Sequence, residues 1–519
     1  MIVDVRPLSP DDVVRVAREG ARVTIGSEAR EAIARARKHV DDLAASDTPV
    51  YGVSTGFGAL ANRHIEPEQR TQLQKSLIRS HAAGTGSRVE DEVVRALMLL
   101  RLSTMCTGHT GVRITTAEAY ANLLNAGLSP VVLEHGSLGC SGDLAPLAHC
   151  ALAVMGEGDV VDHGPGGGAG PWAANHGTVR PAAEALADHG LAPVELAEKE
   201  GLALINGTDG MLGMLVLALA DLRRLLDSAD LSAALSIEGL MGTDRVLAPD
   251  LQALRPHPGQ ATSAAHMAAL LAGSPIVASH RYGDDRVQDA YSLRCAPQVH
   301  GAARDTVEHA ATVADRELAA AIDNPSVLAD GRLESHGNFH GAPLAYVLDF
   351  LAIAVADVAS MSERRTDRFL DANRNHGLPP FLADDPGVDS GLMIAQYTQA
   401  AIVSDLKRLA APASVDSIPS SAMQEDHVSM GWSSARKLRR AVEGLTQVLA
   451  IEIMTAARGV ELRAPLRPAA ATDAAITALR TMVDGPGPDR FLTPDIEAAT
   501  ALVRDGSILA AAHARASAR

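Results

Sequence analysis

From Glu195 onward the chain is dominated by very long helical patterns, which constrain its fold more than any other feature. Met211 to Leu235, Pro297 to Ile322, Pro343 to Arg374, Ser390 to Leu409 and Ser433 to Leu462 each read as one helix. The breaks are sharp: Pro256, Pro258, Asp323-Asn324-Pro325 and Pro379-Pro380, residues that end or interrupt helices. Helices of this length usually pack as a bundle. The composition agrees, because 47% hydrophobic but only 3% aromatic residues favour close-packed helices over sheets. No internal repeat and no heptad run is visible.

The first part of the chain is more mixed. Pro10-Asp11-Asp12 opens a helix with an acidic first turn;. Ala21 to Ile25 is strand-like, and Glu28 to Ala44 is helical. Helices are then expected over Pro67 to Ser80, Arg88 to Cys106 and Thr115 to Asn125, the last stopped by Gly127;. Another should run up to Gly156. The expected organisation is a mixed α/β region at 1–200, a long-helix bundle at 201–465 and a helical tail at 466–519, with Thr493 to Ala516 as its main segment.

The net charge of −17 argues against nucleic acid and anionic membranes as partners. Cys106, Cys140, Cys150 and Cys295 show no CxxC or zinc spacing and read as reduced thiols of a cytoplasmic protein. The start, Met1-Ile2-Val3-Asp4-Val5-Arg6, lacks the basic-then-apolar pattern of a signal peptide;. The most apolar stretches, Met211 to Ala220 and Tyr346 to Val358, are too short or carry Asp, so no membrane span is expected.

The chemistry concentrates in Ser137-Leu-Gly-Cys-Ser-Gly-Asp-Leu-Ala-Pro-Leu-Ala-His149. If the Gly142 nitrogen attacks the Cys140 carbonyl, a five-membered ring closes. Loss of two waters, one carrying the Ser141 hydroxyl, leaves an exocyclic methylene: 4-methylidene-imidazol-5-one (MIO), an electrophile made from backbone. Glycine suits the attack because it has no Cβ to obstruct it. Taken alone, the stretch also reads as a tight turn. Asp143 would then cap the following helix, with Pro146 in its first turn.

Other segments have two readings as well. Gly52-Val-Ser54-Thr-Gly56 formally matches a hydrolase nucleophile elbow, yet no helix follows it directly, as that motif requires. Asn206-Gly207 reads as a turn with Thr208 as N-cap. Gln288, Tyr291 and Arg294 recur every third residue and on a helix would share one broad face. Ser421-Ala-Met-Gln424 fits a capping box. Gly164 to Pro171 is a Gly-rich flexible loop, expected to be mobile.

The 137–149 stretch resembles the prosthetic-group loop of the aromatic amino-acid ammonia-lyases, a likeness running from about Val50 to about Arg463. It includes Pro49 to Gly58, Arg286 to Pro297, Gly337-Asn-Phe339-His-Gly341 and Gln424-Glu425-Asp-His427. The resemblance implies a mainly α fold with a central bundle of long, roughly parallel helices. It implies a homotetramer whose sites each draw on three subunits. It implies MIO formed from Cys140, Ser141 and Gly142, no external cofactor and no metal. Tyr51 becomes the base and Tyr291 a second catalytic group; His81, Asn206, Gln288, Arg294, Phe339 and Glu425 bind substrate. An unperturbed phenol titrates near ~10, so Tyr51 needs an electropositive, partly desolvated setting. Arg294 suits a carboxylate, which its fork can grip bidentately.

Ser80-His81 and Glu425 point to the histidine-specific lyases. A carboxylate and an imidazole facing a phenyl ring would be desolvated without partners, whereas the ring NH groups of histidine satisfy them. The implied reaction converts L-histidine to trans-urocanate and ammonia. The alternatives are a tyrosine or phenylalanine lyase or aminomutase and, in another class, a catalytically silent helical scaffold. Cys140 departs from the alanine of most relatives, which touches the ring substituent and not the ring.

Overall fold

Helices account for most of the chain in a computed structural model that describes residues 1–46, 50, 52–56, 63, 65–164, 177–284 and 286–516. The mainly α expectation holds. The long elements are Asp209–Gly239, Ala296–Leu318, Ala342–Leu370, Met393–Leu409 and Gly431–Glu461, each end within a few residues of its predicted position. Ala342–Leu370 is by length and composition able to cross a membrane, but 61% of its apolar window is buried.

The residues divide into two compact units. The first comprises Met1–Leu217, Ala311–Leu348 and Ala413–Arg436. Its opening helix, Pro10–Glu19, carries a full capping box between Ser9 and Asp12 and ends at left-handed Gly20;. Strands Ile2–Val3 and Thr24–Ile25 pair in parallel. Leu128–Pro130, Asp159–Asp162 and Thr178–Pro181 form an antiparallel sheet. These strands are two to four residues long, too short for an alternating pattern to show. Helix Asp91–Cys106 is buried along its whole length. Its two buried arginines serve backbone carbonyls: Arg95 donates to Val16 and Leu124, and Arg101 to Asn206 and Ile322. Carbonyls near helix ends and in a connecting segment are thereby satisfied inside the core;.

The second unit comprises Ala218–Ala310, Asp349–Pro412 and Lys437–Arg519. Glu452, fully buried, accepts from Arg365, Ser236 and Ser362. Burial raises the carboxyl's proton affinity, but Arg365 and both hydroxyls outweigh it and hold the pKa below its usual value;. The expected single tail helix is two, Thr493–Asp505 and Ser507–Ala516, broken at Gly506 with φ +81°. Ala470–Leu479, not anticipated, packs against the second of these.

Several local expectations need correction. Pro67–Gln69 is a 3-10 turn before helix Arg70–His81. Only Tyr291–Arg294 is helical, so Gln288 lies ahead of the N-cap Ala290 and shares no helix face with the other two. Ser421–Met423 is a 3-10 turn, not the start of a capped helix. Thr208 directly precedes helix Asp209–Gly239, its carbonyl accepting from the Leu212 amide, and its hydroxyl donates to Glu317. Gly52–Ser54 form a turn whose amides Val53 and Ser54 donate to Val50, not a strand-to-helix elbow. Of the loop 164–171, only Gly164 is described, and Tyr51 lies outside the described residues.

Candidate active site

In the first unit, chain segments distant in sequence converge on the 137–143 loop. Gly142 has φ +78°, and its backbone bridges to Gly207. A Cβ there would fall 1.9 Å from the Gly207 carbonyl oxygen, so only glycine fits. The Asp143 amide donates to the same carbonyl at 2.7 Å. At the other end of the loop, the Gly139 carbonyl accepts from the Ser429 hydroxyl at 2.9 Å and from the Gly341 amide at 3.4 Å. The Met430 amide donates to Leu138. The triplet is thus tethered on both sides while Ser141 stays half-buried. A positive-φ glycine in a cradle that a Cβ would fill is the local geometry that ring closure through its nitrogen needs, and the residues fit the group.

Asp143 does not cap its own helix, Leu144–Val154. Its carboxylate accepts from the Met211 amide at 2.9 Å and from the Ser137 hydroxyl at 3.1 Å. It therefore sits on the N-terminus of Asp209–Gly239, where a negative charge is favoured. Burial nevertheless pushes its pKa up to about 7, against those hydrogen bonds. Sequence reasoning assigned this residue to the wrong helix; the partner lies 68 positions away, beyond any local signal.

Glu425 reaches the loop through a tight hairpin in which Ser420 and Glu425 pair backbone to backbone. Ser421, Ala422 and Met423 all have positive φ, at 51°, 52° and 69°, a strained arrangement for residues with a Cβ. The Glu425 carboxylate accepts from the Ser141 hydroxyl at 3.4 Å and from Ser420 at 3.0 Å. It also acts on two neighbours. The Cys140 thiol is pushed up to about 12, by burial first and by Glu425 second. At His81 burial lowers the pKa, opposed by the hydrogen bond to Leu77 and by Glu425. His81 Nδ1 lies 2.9 Å from the Leu77 carbonyl. That acceptor requires a hydrogen on Nδ1 and leaves Nε2 as a lone pair in the neutral ring.

Asn206 is nearly buried, with its side chain donating to the Asn324 carbonyl. Phe339 is partly buried in the loop whose Gly341 meets Gly139. Gly52, next to position 51, packs against Leu202 and Lys199. Lys199 forms a fully buried ion pair with Asp323 at 2.6 Å, a pair not foreseen from sequence. His340 and His427 stack in parallel, 5.7 Å between centroids, also unforeseen.

Gln288, Tyr291 and Arg294 belong to the second unit. Gln288 lines a cavity of about 220 Å³ with Thr243, His280 and Asp289. Tyr291 is 70% exposed. The Arg294 guanidinium lies 4.6 Å from the Tyr291 ring centroid, and its buried Nε has no hydrogen-bond partner among the described residues.

Comparison with known proteins places this geometry in context. The profile of the family described as aromatic amino acid lyase matches residues 8–481. A histidine ammonia-lyase of Streptomyces avermitilis is 66% identical over 513 residues, covering 99% of this chain and 98% of its own. Among solved structures, a Trypanosoma cruzi histidine ammonia-lyase aligns with a TM-score of 0.88 at 37% identity, over 99% of this chain and 95% of its own. A tyrosine aminomutase from Streptomyces globisporus aligns at 0.91 and 35%, over 99% and 98%. The backbone is shared across these chemistries, so side chains must distinguish them.

Proposed function

The chain belongs to the aromatic amino acid lyase family, and from that premise we propose how its residues carry out the reaction of its 66%-identical relative: elimination of ammonia from L-histidine to give trans-urocanate. The protein is a carbon–nitrogen lyase. The observation that carries the choice of histidine is the Glu425 carboxylate, 3.4 Å from Ser141 and electrostatically coupled to His81. Beside it, His81 Nε2 and Glu425 are both acceptors, and a substrate ring bound as imidazolium, with two N–H groups, satisfies both;. Partly buried polar groups of this kind disfavour a phenyl ring, which leaves both unpaired;.

MIO, formed from Cys140, Ser141 and Gly142, supplies an electrophile for the substrate amino group, otherwise a poor leaving group. The surrounding chain does the rest. Ser429, Gly341, Gly207 and Asp143 hold the loop in one geometry. Tyr51 removes the β-proton as general base. Arg294 binds the substrate carboxylate, which its unpartnered Nε favours;. Tyr291 assists catalysis beside it. Asn206 and Gln288 supply further polar contacts, and Phe339 forms a wall.

The working form is a homotetramer in the cytoplasm, each site drawing on three subunits. The exposure of Tyr291, Val287 and Tyr282, at 70%, 95% and 87%, suits a surface that other copies cover. Purified protein given L-histidine, L-tyrosine and L-phenylalanine separately should favour histidine in kcat/KM by roughly a hundredfold or more. A preference for tyrosine, or a β-amino acid product, would reverse the assignment.

A further inference from the structure

In the first unit, Lys199 and Asp323 form a buried ion pair to which the reaction as described gives no task. Both side chains are fully buried, with Nζ 2.6 Å from Oδ2. Lys199 has φ +72°, a conformation that glycine adopts without strain and a residue with a Cβ does not. A lysine here therefore carries a backbone cost. Stability alone is a poor account of the pair, because taking two charges out of water costs about as much as their attraction returns.

Three chain segments meet on this pair. The first carries Asn206. Lys199 is the N-cap of Glu200–Ile205 and Asn206 its C-cap. Asp323 Oδ1 accepts from the Asn324 amide at 2.7 Å, and the Asn324 carbonyl accepts from the Asn206 side chain at 3.1 Å. Both ends of one short helix are thus pinned to the 323–324 stretch. Fully buried Arg101 joins the same two stretches, donating to the Asn206 carbonyl at 2.5 Å and to the Ile322 carbonyl at 2.6 Å. The second segment carries Phe339. The Asn324 side-chain oxygen accepts from the His336 amide at 3.0 Å. The Ser326 hydroxyl donates to the Asp323 carbonyl at 3.2 Å and so accepts from His336 Nε2 at 2.8 Å. His336 Nδ1 is then the acceptor for the Asn338 amide at 3.1 Å, one residue before Phe339. The third segment carries Tyr51. At its neighbour Gly52 a Cβ would fall 3.6 Å from both Lys199 Cδ and Pro325 Cδ, and 2.6 Å from Leu202 Cδ1. The backbone beside position 51 therefore rests on the stem of the lysine and on the 323–325 turn.

We propose that the Lys199–Asp323 ion pair is a positioning device for the lyase reaction, holding the segments that carry Tyr51, Asn206 and Phe339 in one fixed arrangement. This rests on the roles given to those three residues above. Lys199 and Asp323 are positioning residues and act only through their neighbours. A buried polar network whose members are satisfied is rigid, and a shift of about 1 Å at a reacting group costs on the order of a hundredfold in rate.

The test is the double variant Lys199→Met, Asp323→Asn in the full-length protein. It removes both charges, changes little volume and keeps an acceptor for the Asn324 amide. It should fold, melt close to the parent and show the same two-water deficit in the 137–149 peptide. Its kcat for histidine should nevertheless fall on the order of a hundredfold, with KM changed by less than roughly tenfold. Lys199→Met alone should melt well below the parent, because it strands a buried carboxylate. If the double variant does not fold, Asp323→Asn alone decides. Burial lowers the Lys199 pKa against the pull of Asp323, so Lys199 beside an asparagine sheds its proton and keeps a hydrogen bond. The same fall in kcat is expected there. Parental kcat in folded, cyclised variant would show that the pair only stabilises, and would overturn the proposal. Loss of the two-water deficit would move the pair's role to ring formation and overturn it as well. Tyr51→Phe, Asn206→Ala and Phe339→Ala are measured alongside. Parental kcat/KM in all three would refute the roles on which the proposal rests. Impaired single variants beside a fully active double variant would refute the positioning alone.

Discussion

Cys140 supplies only a carbonyl carbon to the ring, and its environment agrees with a spectator side chain. Burial and Glu425 push the thiol up to about 12, so it stays protonated and unreactive at neutral pH. Cys140→Ala should therefore keep activity within roughly tenfold, ~1.4 kcal/mol in barrier. An inactive variant with an uncyclised loop would give the thiol a role. Glu425 is the opposite case, since one carboxylate is hydrogen-bonded to Ser141 and Cys140 and acts electrostatically on His81. Glu425→Gln should fold normally, with kcat/KM for histidine lowered by a factor on the order of a hundred. Unchanged turnover would remove Glu425 from the site.

At the scale of elements, Asp143 is the joint between the 137–143 loop and the start of Asp209–Gly239. Its pKa of about 7 lies above that of an unfolded aspartate. Between about pH 4 and pH 7 the folded protein thus holds a proton that the unfolded chain has released. This group's contribution to stability falls as pH rises through that window and is lowest above it. Asp143→Asn still accepts from the Met211 amide but does not titrate. Its melting temperature relative to the parent should rise from pH 5 to pH 8; a constant or shrinking difference would contradict the raised pKa. The same residue shows where sequence reading stops. The long helices were legible because their period and their proline breaks are local. Asp143's choice of helix, and the left-handed run at Ser421, Ala422 and Met423, depend on partners remote in sequence. Gln288 was misplaced because a three-residue spacing suggests a helix whether or not one forms. The triplet and Glu425 were legible through family likeness, while the Lys199–Asp323 pair and the His340–His427 stack carry no sequence signature.

For the whole molecule, the proposed assembly covers the exposed residues Tyr282, Val287 and Tyr291, beside the proposed carboxylate-binding Arg294. A protein sedimenting at four times its 54.0 kDa chain mass is expected. Val287, 95% exposed, should be covered in that assembly. Val287→Asp should shift the protein to smaller species and lower histidine turnover with them, because a buried unpaired carboxylate is costly. A fully active monomer would refute sites shared among subunits. The catalytic expectations rest on the loop having become an electrophile, and the mass of the peptide carrying Ser137 to His149 reads that directly. In active protein this peptide should be lighter than its sequence by two waters, and in Ser141→Ala, folded but inactive, the deficit should vanish. Full sequence mass in a preparation that turns over histidine would contradict the account.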